Sequence, residues 1–203
     1  MKKVSLFSIL LLSFVMGVSQ KNASSHWIEG KLFLSNGDTL SLPLKYDLSN
    51  NVVYSQKENR LKVWSSSQVI GFQLIDKQNK LLRKFETLYY QKENGYKIPM
   101  MFEVLYINKR YSLYRRDLLT NPSVNYNVLG GLSIPLNTAK VHRFDFYAMN
   151  AKKEIRWFEP NKKSILNLFA NKKELIKDYL KEEKIKLHTI DDLIMVFKFY
   201  NSL

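Results

Sequence analysis

The sequence predicts a β-rich α+β fold: an antiparallel sandwich or open barrel, followed by a small C-terminal helical segment of two to three helices. Two observations lead to this prediction. Short apolar runs separated by turn residues recur between residues 27 and 158 without helical periodicity, as is typical of antiparallel sheets. From residue 159 onward, apolar residues recur three and four positions apart, which is typical of amphipathic helices.

The first two strands are predicted to form a hairpin. Residues 39–46 alternate apolar and polar side chains, and the turn pair Asn36-Gly37 separates them from an apolar run over residues 27–34. An Asn-Gly pair in this position favours a tight hairpin turn, because the central residues of that turn need positive φ. Pro43 predicts that the second strand lies at a sheet edge, since proline has no N–H for a second ladder.

Further strands are predicted wherever an apolar run lies between turn residues. They cover residues 52–54, 61–64, 69–75, 81–90, 98–107, 111–114, 144–146 and 155–158. The stretch 116–140 is different, because it contains Pro122, Pro135 and Gly130-Gly131 and has no sustained periodicity. It is predicted to be a long loop.

Three short helices are predicted after the last strand. Asn161 is expected to open the first helix. Asn171 with Glu174, and Thr189 with Asp192, fit the spacing of a capping box at the start of the second and third helices. Helices with apolar stripes this regular must bury them, so we expect them to pack on each other or on the sheet.

The N-terminus has the features of a secretory signal peptide. Lys2 and Lys3 precede a largely apolar run over residues 4–18, and the expected cleavage site lies between Ser19 and Gln20. The apolar run is shorter than the roughly 20 residues of a membrane-spanning helix, and no later segment has that length and polarity. We therefore expect an exported protein that is periplasmic, associated with the outer membrane, or secreted.

The chain has no cysteine. Disulfides, thiolate metal sites, cysteine nucleophiles and lipid attachment through cysteine are therefore excluded, and an apolar core must hold the exported protein. The expected organisation is a signal peptide over residues 1–19, an antiparallel β domain over residues 20–158, and a helical segment over residues 159–203 packed on the β domain.

The chain is basic, with a formal net charge of +14 at pH 7. Lysine and arginine are spread along the sequence rather than concentrated in one segment. A diffuse positive field favours anionic surfaces or polymers as partners. A soluble surface that is simply rich in lysine is the alternative interpretation.

Four short segments of the chain form a recognisable pattern: Glu29-Gly30-Lys31, Asn36-Gly37-Asp38-Thr39-Leu40, Val69-Ile70-Gly71-Phe72 and the ending Tyr200-Asn201-Ser202-Leu203. In these segments the chain resembles a group of secreted proteins from Bacteroidota. The chain departs from that group at Ser41-Leu42-Pro43, where the group often has a second glycine. The resemblance implies an envelope location and a β-then-α order, and it implies no activity.

No constellation of catalytic or metal-ligating residues is recognisable in the sequence. His26, His142 and His188 are isolated from one another, and no P-loop, nucleophile elbow or dinucleotide fingerprint occurs. Glu103 and Asp145 lie inside apolar strand runs, and alternation predicts that both face solvent. The other carboxylates considered in the β region are Glu29, Asp38, Asp47, Glu86 and Asp117. No catalytic residue, cofactor or metal is predicted.

Aromatic and cationic residues are interleaved in the second half of the predicted sheet. Such a mixture suits sugar rings or anionic groups, although tyrosine is also common in strands for packing alone. The candidate polyanion-binding residues are Arg83, Lys84, Lys109, Arg110, Tyr111, Tyr114, Arg115 and Arg116.

The leading hypothesis is a non-catalytic exported envelope protein that acts by binding or assembly. The first alternative is a binder of acidic glycan or lipid headgroups, and the second is a hydrolase that uses facing carboxylates. The partner would be an envelope protein or an anionic glycan or lipid, because export makes nucleic acid an unsuitable partner.

Overall fold

The computed structural model describes residues 27–47, 50–76, 81–92, 94–120, 126–129, 132–135 and 141–203. The predicted signal peptide, its cleavage site between Ser19 and Gln20, and His26 lie outside the described residues.

The described chain forms strands first and helices last. The strands are β1 (Ile28–Leu34), β2 (Thr39–Asp47), β3 (Val52–Lys57), β4 (Arg60–Ser65), β5 (Val69–Asp76), β6 (Leu81–Gln91), β7 (Lys97–Tyr106), β8 (Tyr111–Thr120), β9 (Tyr126–Leu129), β10 (Leu132–Pro135), β11 (Val141–Asn150) and β12 (Ile155–Phe158). The helices are α1 (Lys162–Leu168), α2 (Lys173–Glu182) and α3 (Ile190–Ser202), with a 3₁₀ turn over Ala170–Lys172.

Ten of these strands form one antiparallel sheet. Their order is β12-β11-β8-β7-β6-β5-β1-β2-β3-β4, and β9 pairs with β10 separately. The predicted β-rich α+β class with a C-terminal helical segment is confirmed. The sheet is open, because no ladder joins β4 to β12 among the described residues.

The predicted first hairpin is confirmed. The Gly37 N–H donates to the Leu34 carbonyl at 3.0 Å, and the Leu34 N–H donates to the Asp38 carbonyl at 2.9 Å. Gly37 has a φ of +92°, a conformation that glycine adopts without a steric cost.

Pro43 does not mark an edge strand, so that prediction was wrong. β2 lies between β1 and β3, and Pro43 pairs with Glu29 of β1. The ladder between β2 and β3 begins only at Leu44, opposite Ser55. Proline is tolerated inside the sheet because the second ladder starts one residue later.

The prediction of a long loop over residues 116–140 was wrong in part. β8 continues to Thr120 and pairs with β11 without a break, from Thr120–Val141 to Tyr111–Asn150. β9 and β10 form a further short hairpin within the same stretch. The pairing of β8 with a strand about 30 positions later is a long-range contact that local periodicity cannot reveal.

The sheet curls, so that turns at the β3–β4 end reach β7. Strands β7 and β8 pair only from Glu103 to Tyr106, with an irregularity at Leu105. Earlier in β7, the Met101 N–H donates to the Asn51 side chain at 3.0 Å, and the Ser66 hydroxyl donates to the Pro99 carbonyl at 2.9 Å. These bonds hold the β3–β4 end of the sheet against β7.

The buried side chains form three clusters, two of them on one face of the sheet. The first cluster lies inside the curl and includes Leu32, Leu44, Phe72 and Phe85. The helices cover the second, which includes Leu113, Phe158, Phe169 and Phe197. The third lies on the opposite face and includes Met100, Phe102, Tyr114 and Tyr147.

Two of the three predicted helix starts are confirmed. The Asn161 side chain accepts a hydrogen bond from the Ser164 N–H, and Thr189 forms a capping box with Asp192. The expected cap at Asn171 was wrong, because α2 starts after Lys172 without a side-chain cap. Asn171 instead accepts a hydrogen bond from the Tyr200 hydroxyl at 3.2 Å.

Asn201 attaches α3 to the start of β8. Its side-chain oxygen accepts from the Tyr111 N–H, and its amide nitrogen donates to the Tyr111 carbonyl, each at 3.0 Å. The same amide donates to the Phe197 carbonyl at 2.7 Å. The Tyr200 ring stacks on Phe169 with 4.1 Å between centroids. The terminal Tyr-Asn pair therefore has a structural role in docking the helix.

Candidate functional site

Two arginines and two carboxylates meet on the face that carries the first two clusters. Arg83 of β6 donates to Glu103 of β7 through two bonds of 2.8 Å and to Asp117 of β8 at 3.1 Å. Arg115 of β8 donates to Glu103 at 2.6 Å and lies 3.8 Å from Asp117. We call these four residues the ion cluster.

Strand register brings the ion cluster together. Glu103 pairs directly with Arg115 across β7 and β8, and with Phe85 across β6 and β7. Paired residues share a face, as do residues two positions apart on one strand. Arg83 and Asp117 therefore join the same face, each two residues from a partner of Glu103.

The ion cluster is buried, and its charges stabilise one another. Burial alone would raise the pKa of Glu103, but hydrogen bonds from Arg83 and Arg115 outweigh that effect and hold the pKa below its ordinary value. Burial alone would lower the pKa of Arg83, whereas its bonds to Glu103 and the charge of Asp117 raise it. The lowered pKa of Glu103 and the raised pKa of Arg83 both favour the ionised form of the side chain.

The expectation that Glu103 faces solvent was wrong, because its exposed fraction is 5%. Strand alternation predicts solvent exposure only where one face of a sheet is bare, and here both faces are covered around β7. Asp145 is half-buried and pairs with Arg143 at 3.2 Å.

Glu103 and Asp117 are two converging buried acids, the arrangement that a carboxylate-dependent hydrolase requires. Both are bonded to Arg83, however, and Glu103 is ionised near neutral pH. An ionised carboxylate whose oxygens already accept hydrogen bonds is poorly suited to donate a proton. Among the described residues, no group of three or more His, Asp or Glu side chains could hold a metal ion.

The predicted polyanion-binding residues do not form one surface. Arg83 and Arg115 belong to the ion cluster. Tyr114 is fully buried, and its hydroxyl donates to Glu86 at 2.9 Å. Arg116 donates to the Met101 carbonyl at 3.3 Å.

The rest of the predicted set differs in exposure. Tyr111 is half-buried and packs edge-on against Phe169 and Tyr200. Lys84, Lys109 and Arg110 are exposed, and no ion pair involves them in the described part of the chain. Within the predicted set, these three are the cations exposed at the surface.

Arg110 and Tyr111 line a cleft of about 490 Å³ at one end of the molecule. The other walls come from the turn between β11 and β12 and from the junction of α1 with α2. We call it the basic cleft, and its lining residues are Arg110, Tyr111, Asn150, Ala151, Lys152, Glu154, Asn171, Lys172, Tyr200 and Leu203.

Three cations from three separate elements converge on the basic cleft. Arg110 precedes β8, Lys152 lies in the β11–β12 turn, and Lys172 precedes α2. No ion pair joins any of them to a described residue. The lining carboxylate of Glu154 accepts a hydrogen bond from the Asn150 side chain at 2.7 Å and lies 3.7 Å from Arg156.

Tyrosine rings and amide groups complete the basic cleft. Tyr111 and Tyr200 meet at 5.3 Å between centroids with their planes almost perpendicular. Burial raises the pKa of Tyr111, so its hydroxyl remains a neutral hydrogen-bonding group. Asn150 shapes the wall, since its side-chain oxygen accepts from the N–H groups of Lys152 and Glu154, each at 3.0 Å.

Sequence analysis identified Arg110 and Tyr111 but missed Lys152 and Lys172. These two lysines lie about 40 and 60 positions beyond Arg110, in segments predicted only as a turn and a helix start. No local pattern distinguishes them from the other lysines of the chain. The pairing of Asn150 with Tyr111 places Lys152 there, and the packing of the helices on the sheet places Lys172, neither of which sequence spacing encodes.

No described helix is long and apolar enough to cross a membrane. Comparison with known proteins found no family model, no curated protein and no solved structure that matches the chain.

Proposed function

We propose that the chain is an exported, non-catalytic envelope protein that acts by binding an anionic ligand in the basic cleft. The observation that carries this proposal is the convergence of Arg110, Lys152 and Lys172, without a described ion pair, on one open cleft. Cations held close together repel one another, and a bound anion relieves that repulsion.

An acidic glycan is the ligand class that the lining supports best. Half-buried Tyr111 offers part of an aromatic ring, and the exposed Asn171 offers an amide nitrogen of the kind that binds sugar hydroxyls. The three cations suit the carboxylate or sulfate groups of such a polymer. A lipid headgroup is the other source of negative charge that the experiment separates from a glycan.

The location in the envelope rests on the signal-peptide features and on the resemblance to secreted proteins of Bacteroidota. The absence of catalysis is supported by the ion cluster, in which arginines neutralise the converging acids. Assembly with another envelope protein would use the same cleft, because an acidic partner protein would meet the same three cations.

The proposal is tested by charge reversal of Arg110 and Lys152 together. We expect the R110E/K152E variant to bind soluble polygalacturonate about tenfold more weakly or worse, equivalent to about 1.4 kcal/mol or more. Binding would be measured by isothermal titration calorimetry, and parallel titrations would use anionic phosphatidylglycerol vesicles and neutral dextran.

The matched control is K57E/K181E, which makes the same change in net charge at two exposed lysines outside both the cleft and the predicted polyanion-binding set. The control should retain most of the affinity. An equal loss in both double variants would show that only net charge matters, and the proposed site would be abandoned. Binding to vesicles but not to polygalacturonate would replace the glycan with a lipid headgroup.

A further inference from the structure

A second cavity lies beneath the connection between α2 and α3, away from the basic cleft. Its volume is about 340 Å³, and its walls are mostly apolar. Phe144 and Phe146 of β11 form one side, and Leu187, Ile190 and Leu193 form the other. The two cavities have no lining residue in common, so the inference below is independent of the anionic ligand proposed above.

Arg115 is the cation of this cavity, and His188 and Thr189 are its other polar lining residues. Its Nε donates to Glu103 at 2.6 Å, whereas neither of its Nη atoms donates to a described residue. The guanidinium lies over the Phe144 ring, with 4.7 Å from Cζ to the ring centroid. The side chain is 15% exposed, so spare N–H donors lie beside an aromatic wall.

The charge of the ion cluster determines which polar group suits these donors. Two arginines and two carboxylates cancel, so an incoming carboxylate would meet no net positive charge and would still lose its hydration. An uncharged carbonyl oxygen can accept from the Arg115 Nη atoms at a much smaller desolvation cost. The electrostatics therefore favour a neutral polar end over an anionic one.

We propose that this cavity binds a single acyl chain through an uncharged ester carbonyl. The chain packs on Phe144, Phe146, Ile190 and Leu193, and the carbonyl accepts hydrogen bonds from Arg115. A volume of about 340 Å³ falls within the roughly 300–1,000 Å³ of small-molecule pockets, which are mainly apolar with a few placed polar groups.

A neighbouring cavity gives room for a longer chain. Its volume is about 300 Å³, and it shares Phe144, Phe146 and Pro160 with the first. Trp157, which lines this neighbouring cavity, is 43% exposed. Its remaining walls include Arg143, Asp145 and Glu159, so a longer chain would follow the shared aromatic wall rather than fill this cavity.

The first test compares three probes on the wild-type protein by calorimetry: 1-monodecanoin, decanoate and decyltrimethylammonium. We expect 1-monodecanoin to bind one-to-one and at least tenfold more tightly than either charged probe. Tighter binding of decanoate would overturn the neutral-carbonyl inference. Failure of all three probes to bind would overturn the site.

The second test uses Ile190→Trp, in which a larger side chain at a half-buried position on the rim fills the cavity. We expect at least a tenfold loss of 1-monodecanoin binding and no change in polygalacturonate binding. The matched control is Met195→Trp, an exposed position on the same helix that does not line the cavity. Equal binding by both variants would contradict the proposal, and the circular dichroism of each would show that α3 is folded.

Discussion

Glu103 is the residue on which the buried charges of the sheet depend, because it accepts hydrogen bonds from both Arg83 and Arg115. Removing its charge leaves two largely buried guanidinium groups with Asp117 as their remaining acidic partner. Removing one partner of a buried ion pair lowers stability by more than the pair contributes in total. The reason is that the remaining charge stays buried without its partner.

We expect Glu103→Gln to lower the free energy of unfolding by about 3 kcal/mol. The control is Asp145→Asn, which removes a carboxylate whose partner Arg143 is largely exposed, and its effect should be about 0.5 kcal/mol or less. Urea denaturation of both variants would measure the difference. Equal effects would show that the ion cluster contributes no more than a surface pair.

The same residue predicts an acid-dependent loss of stability. The pKa of Glu103 in the folded protein lies below its ordinary value of 4.5, so its contribution is complete above that pH. As the pH falls below 4.5 and through the lower folded pKa, the unfolded chain takes up the proton first and the contribution is lost.

Thermal melting between pH 7 and pH 3 would test this dependence. The melting temperature of the wild type should fall more steeply than that of Glu103→Gln below pH 4.5, and the two should converge. Parallel curves over the whole range would exclude Glu103 as the source of the acid sensitivity.

At the residue scale, the sequence predicts features that depend on a residue's own backbone conformation. It does not predict contacts with residues far away along the chain. Asn36-Gly37 lies in the expected hairpin turn, although only Gly37 has the positive φ expected of both residues, because this requirement for glycine is local. Arg83 and Arg115 were expected at a binding surface, but their partners lie up to 34 positions away. The register of the paired strands brings these arginines and their acidic partners together.

At the scale of elements, α3 docks on β8 through a side chain that bonds to the strand backbone as a neighbouring strand would. Asn201 makes two reciprocal hydrogen bonds with the backbone of Tyr111, as a paired residue would in a ladder. The backbone at the start of β8 is thereby satisfied on the side that faces α3.

We expect Asn201→Ala to destabilise the protein by about 2 kcal/mol, since it removes three hydrogen bonds and leaves partly buried Tyr111 backbone groups without that partner. Ser202→Ala is the control, because the Ser202 hydroxyl bonds only to the exposed last turn of the same helix. Chemical denaturation would measure both. A similar small change in each would mean that ring packing alone holds α3.

The starts of the helices show when an N-terminal cap can be predicted from sequence spacing. Thr189 and Asp192 form the expected capping box, because both partners belong to the same first turn. Asn171 and Glu174 have matching spacing, yet the Asn171 oxygen accepts from Tyr200 of α3 instead. A capping sequence is informative when no tertiary partner competes for the same side chain.

At the scale of the whole molecule, the two apolar clusters of one face are joined by β7 and β8. Met101 of β7 belongs to the cluster inside the curl, and Leu113 of β8 belongs to the cluster under the helices. Arg115 and Glu103 connect the two strands between them. Neither cluster can be exposed without disturbing the strands that carry the other.

We therefore expect the two ends of the sheet to unfold together. In a Trp27→Phe/Trp157→Phe background, fluorescence reports Trp64, which is buried inside the curl, while circular dichroism at 222 nm is dominated by the helices. The two urea transitions should coincide, as in two-state unfolding. Separate midpoints would show that the helical end is an independent unit.

The position of Leu203 on the wall of the basic cleft affects how the protein should be labelled. A purification tag or fluorescent protein fused directly after this residue would begin beside Arg110 and Lys172 and would compete with any ligand. The Gly95 turn is a better insertion point, because open space surrounds that glycine. In a capture experiment, a C-terminal fusion would block the basic cleft. The resulting loss of binding would then be mistaken for a lack of affinity for the ligand.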